Sequence, residues 1–164
     1  MSDYFHPKLL TVKAQPDWRL RTTWSTGEVL EVDVEKILRK TAVLRHLLDP
    51  TVFAQARLAP LGLGVEWFDT ELAADNLYAL GQEQAGKVSH QLFDGWMQRN
   101  DLSLTTAAAA LGISRRMTSY YRTAQKPIPR AIWLACLGWE ATRPVADVLP
   151  RSLPGVRRRA AGNH

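Results

Sequence analysis

The sequence predicts an α+β protein: an N-terminal antiparallel β-meander with short helices, then an all-helical unit, then a basic tail. Three observations predict it. Apolar residues recur with period two in the first third of the chain and with helical period after residue 88. Proline and glycine punctuation separates the runs. The charge also divides: residues 1–84 hold nine Lys+Arg against twelve Asp+Glu, and residues 85–164 hold twelve against four. The net +5 is therefore the remainder of −3 and +8. Such asymmetry predicts two parts with different partners, the second with the electrostatics of a nucleic-acid binder. Arg151 and the triplet Arg157–Arg159 supply four of the twelve cations, and the second part stays basic without them.

The meander rests on three runs. Leu9, Leu10 and Val12 form the first. Trp18-Arg19-Leu20-Arg21-Thr22 with Trp24, and Leu30-Glu31-Val32-Asp33-Val34, alternate apolar with polar, which gives one buried and one wet face. Pro16-Asp17 and Ser25-Thr26-Gly27 supply the turns, Gly27 at a position open to positive φ.

Residues 35–49 change period and predict one or two short helical turns closed by Asp49-Pro50. Val52 to Leu58 fits a short helix or a strand equally. Leu61 to Trp67 reads as a loop entering a strand. Asp69 offers an N-cap before Glu71-Leu72-Ala73, and Leu77 to Leu80 continues a short helix that stops near Gly81. The expected organisation is an α+β domain over 1–82, a linker over 83–88, a helical domain over 89–143 and a flexible tail over 144–164.

Four helices are expected in the second half. Ser89 caps the first, whose Leu92, Phe93, Trp96 and Met97 form an apolar stripe; Asn100-Asp101 ends it. Ser103 caps the second, Leu104 to Leu111, which Gly112 ends. Ser114 caps the third, Arg115 to about Thr123. Lys126-Pro127-Ile128-Pro129 forces an extended connection. Pro129 opens the fourth, whose apolar face holds Ile132, Trp133, Ala135, Cys136 and Trp139.

Several classes fall away. No apolar run reaches the roughly 18 residues of a membrane span. The start of the chain lacks the basic-then-apolar pattern of a signal peptide, so a cytoplasmic protein is expected. The single Cys136 makes no disulfide framework, and His6, His46, His90 and His164 have no zinc-site spacing. Asp69, Glu71 and Asp75 read as an acidic helix start rather than a carboxylate site. Nothing pairs a nucleophile with a base or cradles a phosphate. The expectation is no enzyme, no metal and no cofactor. Trp96, Trp133 and Trp139 read as core.

The informative stretch runs from Asp101 to Arg122. Two helices crossing closely need a small residue at the approach, Ala108, and a residue tolerant of positive φ at the turn, Gly112. They need an apolar plug, Ile113, and anchors on the second helix, Met117 and Tyr121. Ser114 caps that helix, whose N-terminal N–H groups suit phosphate. Arg115 and Arg116 sit in its first turn, where a guanidinium can bond guanine in bidentate fashion.

On these residues, 89–141 resembles the lambda-repressor-like, Xre/Cro-type helix-turn-helix domain. Tyr120-Tyr121-Arg122 and Lys126 to Arg130 look like a particular subgroup. Thr118 departs from the family's β-branched apolar residue but matches valine in shape. A fifth helix, common in the family, has no place in the Pro-rich tail. Residues 4–80 are similar to a small bacterial α+β domain family of uncharacterised function that often precedes such a helix-turn-helix. Tyr4 to Pro7, the Gly27-Glu28 turn, Asp33, Leu48-Asp49-Pro50, Phe53 and Val65-Glu66-Trp67 carry that resemblance, and some members sit beside small toxin-like partners.

The resemblance implies a sequence-specific DNA-binding transcriptional regulator, a repressor, acting as a homodimer on double-stranded DNA. Its third helix would enter the major groove. Arg115, Arg116, Ser119 and Tyr120 would read or approach bases. Ser114, Arg122, Lys126 and Arg130, with Gln125, would hold phosphate, which positions without specifying. The alternative is an antitoxin-like module whose acidic first half masks a small basic protein partner, with DNA binding for autoregulation.

Overall fold

A computed structural model of the chain describes residues 4–143. The expected meander is present as β1 (Leu9–Gln15), β2 (Arg19–Trp24) and β3 (Val29–Asp33), antiparallel in that order. Thr22 stands opposite both Val12 and Leu30. The ladder slips between Leu9 and Thr11, a bulge that buries Leu9 and turns Leu10 outward. Leu20, Thr22 and Trp24 form the buried face of β2. Thr22 is tolerated there because its hydroxyl donates to the Leu30 carbonyl (3.0 Å) and accepts from Trp24 Nε1 (2.9 Å). Trp18 belongs to the turn rather than the strand: Asp17 and Trp18 both have positive φ, 63° and 55°.

Helix α1 (Glu35–Lys40) and a 3₁₀ segment (Ala42–Leu48) follow as expected. Asp49-Pro50 closes the 3₁₀ segment as expected, with Asp49 as its C-cap, and also opens the next helix. The Asp49 carboxylate accepts from the Thr51 amide (2.9 Å) and Pro50 takes the first position of α2 (Pro50–Phe53). Both alternatives for 52–58 are realised in turn, since β4 (Arg57–Leu58) comes next.

Asp69 is not an N-cap. It lies in the two-residue turn joining β5 (Gly64–Trp67) to β6 (Thr70–Ala73), with Val65 opposite Leu72 and Trp67 opposite Thr70. Glu71 is therefore in a strand, and pairing across the hairpin outweighs the local capping signal. Helix α3 (Ala74–Gln84) starts later and runs through Gly81. A Cβ at Gly81 would lie 3.0 Å from Leu30 Cδ1 and 3.1 Å from Val32 Cγ2, so glycine here permits close contact between helix and sheet. The stretch 83–88, expected as linker, opens inside α3.

The second half is helical among the described residues: α4 (His90–Arg99), α5 (Leu104–Leu111), α6 (Arg115–Arg122) and α7 (Arg130–Thr142). Two clusters of buried side chains result. Leu20, Trp24, Val32, Leu38 and Leu77 lie in the first. Phe93, Trp96, Met97, Ala107, Tyr121 and Cys136 form the second. Burial pushes the Cys136 thiol up to about 12, so it packs as an inert apolar group. Ala135, expected on the buried face of α7, is exposed, because Cys136 alone of that helix is fully enclosed. Phe5 packs against the first cluster, its ring 5.4 Å from Tyr78 and 5.0 Å from His90 of α4. The expected tail, 144–164, with its arginine triplet and His164, lies outside the described residues.

Candidate nucleic-acid interface

The interface is built on α5, the turn after it, and α6. Ser103 accepts from the Thr106 amide (3.1 Å), and Thr106 Oγ1 accepts from the Ser103 amide (2.8 Å), a reciprocal capping box. The helix ends at Gly112, whose φ of 69° is left-handed. Nothing lies within 4 Å of a Cβ built there, so backbone conformation rather than space selects glycine. The Ile113 amide donates to Ala108 O at 3.1 Å, closing the turn beside the buried Ala108. Ser114 then caps α6 by accepting from the Met117 amide (3.0 Å).

Helix α6 has two sharply different faces. Thr118 and Tyr121 are buried, and Ile113 and Met117 pack against the second cluster. Thr118 is fully enclosed, its hydroxyl donating to the Ser114 carbonyl at 3.0 Å. Tyr121 meets Phe93 edge-on at 5.8 Å. Arg115 and Arg116 are exposed on the other side, with Ser119 and Tyr120 half-exposed.

Tyr120 gathers cations. Arg116 Nε donates to its hydroxyl and the guanidinium carbon lies 5.4 Å from its ring centroid. Lys126 Nζ lies 5.1 Å from the same ring. The Gln125 amide donates to Tyr120 O at 2.9 Å, which folds the chain back and places Lys126 beside the helix. Arg130 is exposed at the first position of α7. From residue 102 to 139 the sequence contains Arg115, Arg116, Arg122, Lys126 and Arg130 and no carboxylate.

The structure thus brings Arg116, Tyr120 and Lys126 together. Arg122 is differently engaged: its Nε donates to Asp94 Oδ1 of α4 at 2.9 Å, tying α6 to the helix behind it. Sequence reading missed Asp94, a carboxylate on a helix otherwise read only for its apolar stripe. Its spacing between Phe93 and Met97 places it at the edge of that stripe, where a basic residue of a packed helix finds it.

The first half of the chain reaches this region. The His6 amide donates to Thr123 O, the residue that ends α6, at 3.0 Å, and Ala124 packs against the first cluster. Glu28 lies at the junction: Tyr78 OH (2.5 Å), Gln82 Nε2 (2.6 Å) and Thr26 Oγ1 (3.0 Å) donate to it, and Lys87 Nζ is 4.0 Å away. Burial pushes its carboxyl up, but these donors and Lys87 together hold it below the ordinary range. Sequence reading noted Glu28 only as part of a turn, since Tyr78 and Gln82 lie about fifty residues away.

In the first half of the chain, His46 Nε2 and Asp69 Oδ1 meet at 3.1 Å. Among the described residues no group of three or more His, Cys, Asp or Glu is placed to hold a metal, and no helix is long and apolar enough to cross a membrane.

Residues 9–83 match a family described as a protein of unknown function (DUF2442). The whole chain is similar to the crystal structure of "Putative DNA Binding Protein NE0471" from Nitrosomonas europaea ATCC 19718. The two are 65% identical, the match covers 94% of this chain and 100% of that one, and the TM-score is 0.85. No curated protein matches the chain.

Proposed function

The chain belongs to the protein family of that Nitrosomonas europaea structure, with residues 9–83 as its DUF2442 region, and on that premise we propose that it is a sequence-specific DNA-binding regulator of transcription, a homodimeric repressor rather than an enzyme. One observation carries the reading. A capped helix, α6, stands behind a left-handed glycine turn with its outer face given to Arg115, Arg116, Ser119 and Tyr120, in a stretch of sequence, 102–139, without a carboxylate. We read it as a lambda-repressor-like helix-turn-helix, in which α5 would cross the DNA backbone and α6 would enter the major groove. The name of the solved relative supports the same partner.

In this reading Arg115, Arg116, Ser119 and Tyr120 approach base edges, and Ser114, Lys126 and Arg130 hold phosphate. Arg122 acts on phosphate only from a position fixed by Asp94. Fluorescence anisotropy with a genomic duplex over a range of salt concentrations tests it. Affinity is expected to fall steeply with salt, with a slope of about −0.9 per phosphate neutralised. A flat response would remove the assignment.

A second reading, a protein-binding role for the first half, draws on one observation. Phe68 is 97% exposed and Leu61 88%, with Leu58 and Leu63 exposed in the same segment. Co-purification of a small basic partner, lost on substituting these side chains by serine, tests it.

A further inference from the structure

A cleft of about 1120 Å³ lies where the two halves meet, lined from α6 by Tyr121 and not by Arg115 or Arg116. Clefts that hold organic ligands are of this order, about 300–1,000 Å³, and form preferentially where packed units adjoin. Its two walls differ in chemistry. One wall carries Glu28 and the donors that satisfy it. The opposite wall is Trp133, Leu134 and Leu137 of α7, and Leu134 and Leu137 are 54% and 42% exposed. Lys126 and Arg130 stand at the same opening, and neither has a carboxylate partner among the described residues.

This chemistry selects a class of occupant. Both oxygens of Glu28 already accept hydrogen bonds within the protein, Oε1 from Tyr78 and Thr26 and Oε2 from Gln82, so a ligand cation finds little there. Besides Glu83 and His90, whose Nδ1 has no hydrogen-bond partner among the described residues, the unmatched groups lining the cleft are an apolar wall and the two cations Lys126 and Arg130. We infer that the cleft binds a small organic anion, its aromatic or hydrocarbon body against Trp133, Leu134 and Leu137 and its acidic group paired with Lys126 and Arg130. Lys126 also contacts the ring of Tyr120 on α6. An occupant therefore draws on cations that the proposed function assigns to phosphate, and its binding opposes DNA binding; this coupling, unlike the site, rests on that reading.

The test uses the full chain and 8-anilinonaphthalene-1-sulfonate, an aromatic sulfonate that fluoresces in apolar surroundings. Without DNA, one probe per chain is expected to bind saturably. Affinity is expected to fall about tenfold, or about 1.4 kcal/mol, in Lys126→Gln/Arg130→Gln and again in Leu134→Asn/Leu137→Asn. All four side chains are at the surface, and circular dichroism checks that the variants fold. Arg19→Gln/Arg21→Gln removes the same charge from β2, outside the cleft lining, and is expected to leave probe affinity unchanged. Equal weakening in that control, undiminished binding in the cleft variants, or binding that vanishes as the protein self-associates would each overturn the site. Saturating probe is then expected to weaken duplex binding by about tenfold. Probe binding that leaves duplex affinity intact overturns the coupling alone, and a protein that binds probe but no duplex contradicts the proposed function and not the site.

Discussion

Arg116 lies over the ring of Tyr120, one helical turn further along α6, with its Nε bonded to the phenol oxygen and its guanidinium carbon 5.4 Å from the ring centroid. One corner of the guanidinium is thereby fixed while its terminal nitrogens are left for a base edge. Tyr120→Phe keeps the ring and removes the bond. It is expected to cost about 1 kcal/mol on the preferred sequence and less on unrelated DNA, so that competition binding records lost discrimination. Arg116→Ala is expected to cost about 1–3 kcal/mol at one base position.

Gly112 offers a test of the turn alone. With φ at 69° and open space where a Cβ would stand, Gly112→Ala pays only the left-handed backbone strain. Urea unfolding is expected to show a loss of about 1–2 kcal/mol with an unchanged denaturant slope.

Arg122 and Lys126 are four residues apart and separate two roles. Arg122 is half-buried against Asp94, and Arg122→Ala is expected to lower stability by about 1 kcal/mol. Lys126 is exposed on Tyr120. Lys126→Ala is expected to leave stability within about 0.5 kcal/mol and to reduce the magnitude of the salt slope of DNA binding by about 1. Equal loss of stability in both variants would contradict the distinction.

His90 gives the fold a pH dependence. Burial holds its imidazole below the ordinary histidine range, against the opposing influence of Asp75 and Asp94. An unfolded histidine titrates near about 6.5, so between the two values the unfolded chain binds the extra proton. The stabilisation is complete above about pH 6.5 and is lost as pH falls toward the folded value. His90→Phe, which keeps a ring against Phe5 and Tyr78, is expected to show a smaller drop in Tm between about pH 7 and about pH 5 than the unsubstituted chain. An identical drop would count against it.

The meander, the capping serines and the Gly112 turn were legible in the sequence because each is decided within a few residues. Gly27, Ser89, Ser103 and Ser114 stand where local chemistry places them. Asp69 and Gly81 depart from their local reading because tertiary contacts decide them. Asp69 has the chemistry of a cap, but the pairing of β5 with β6 claims it for a hairpin turn. Gly81 has the chemistry of a helix end, but Leu30 and Val32 press against its backbone and the helix continues. The exposed arginines of α6 were equally legible, whereas the engagement of Arg122 by Asp94 and the Glu28 network join residues distant in sequence.

Selection of random duplex DNA by the purified chain, followed by sequencing, decides whether α6 reads base sequence. The account predicts an enriched inverted repeat whose half-sites lie about one helical turn, roughly 10 bp, apart, and no enrichment with Arg115→Ala/Arg116→Ala. Recovery of unenriched sequence by the unsubstituted chain, or the same motif from the double variant, would contradict it.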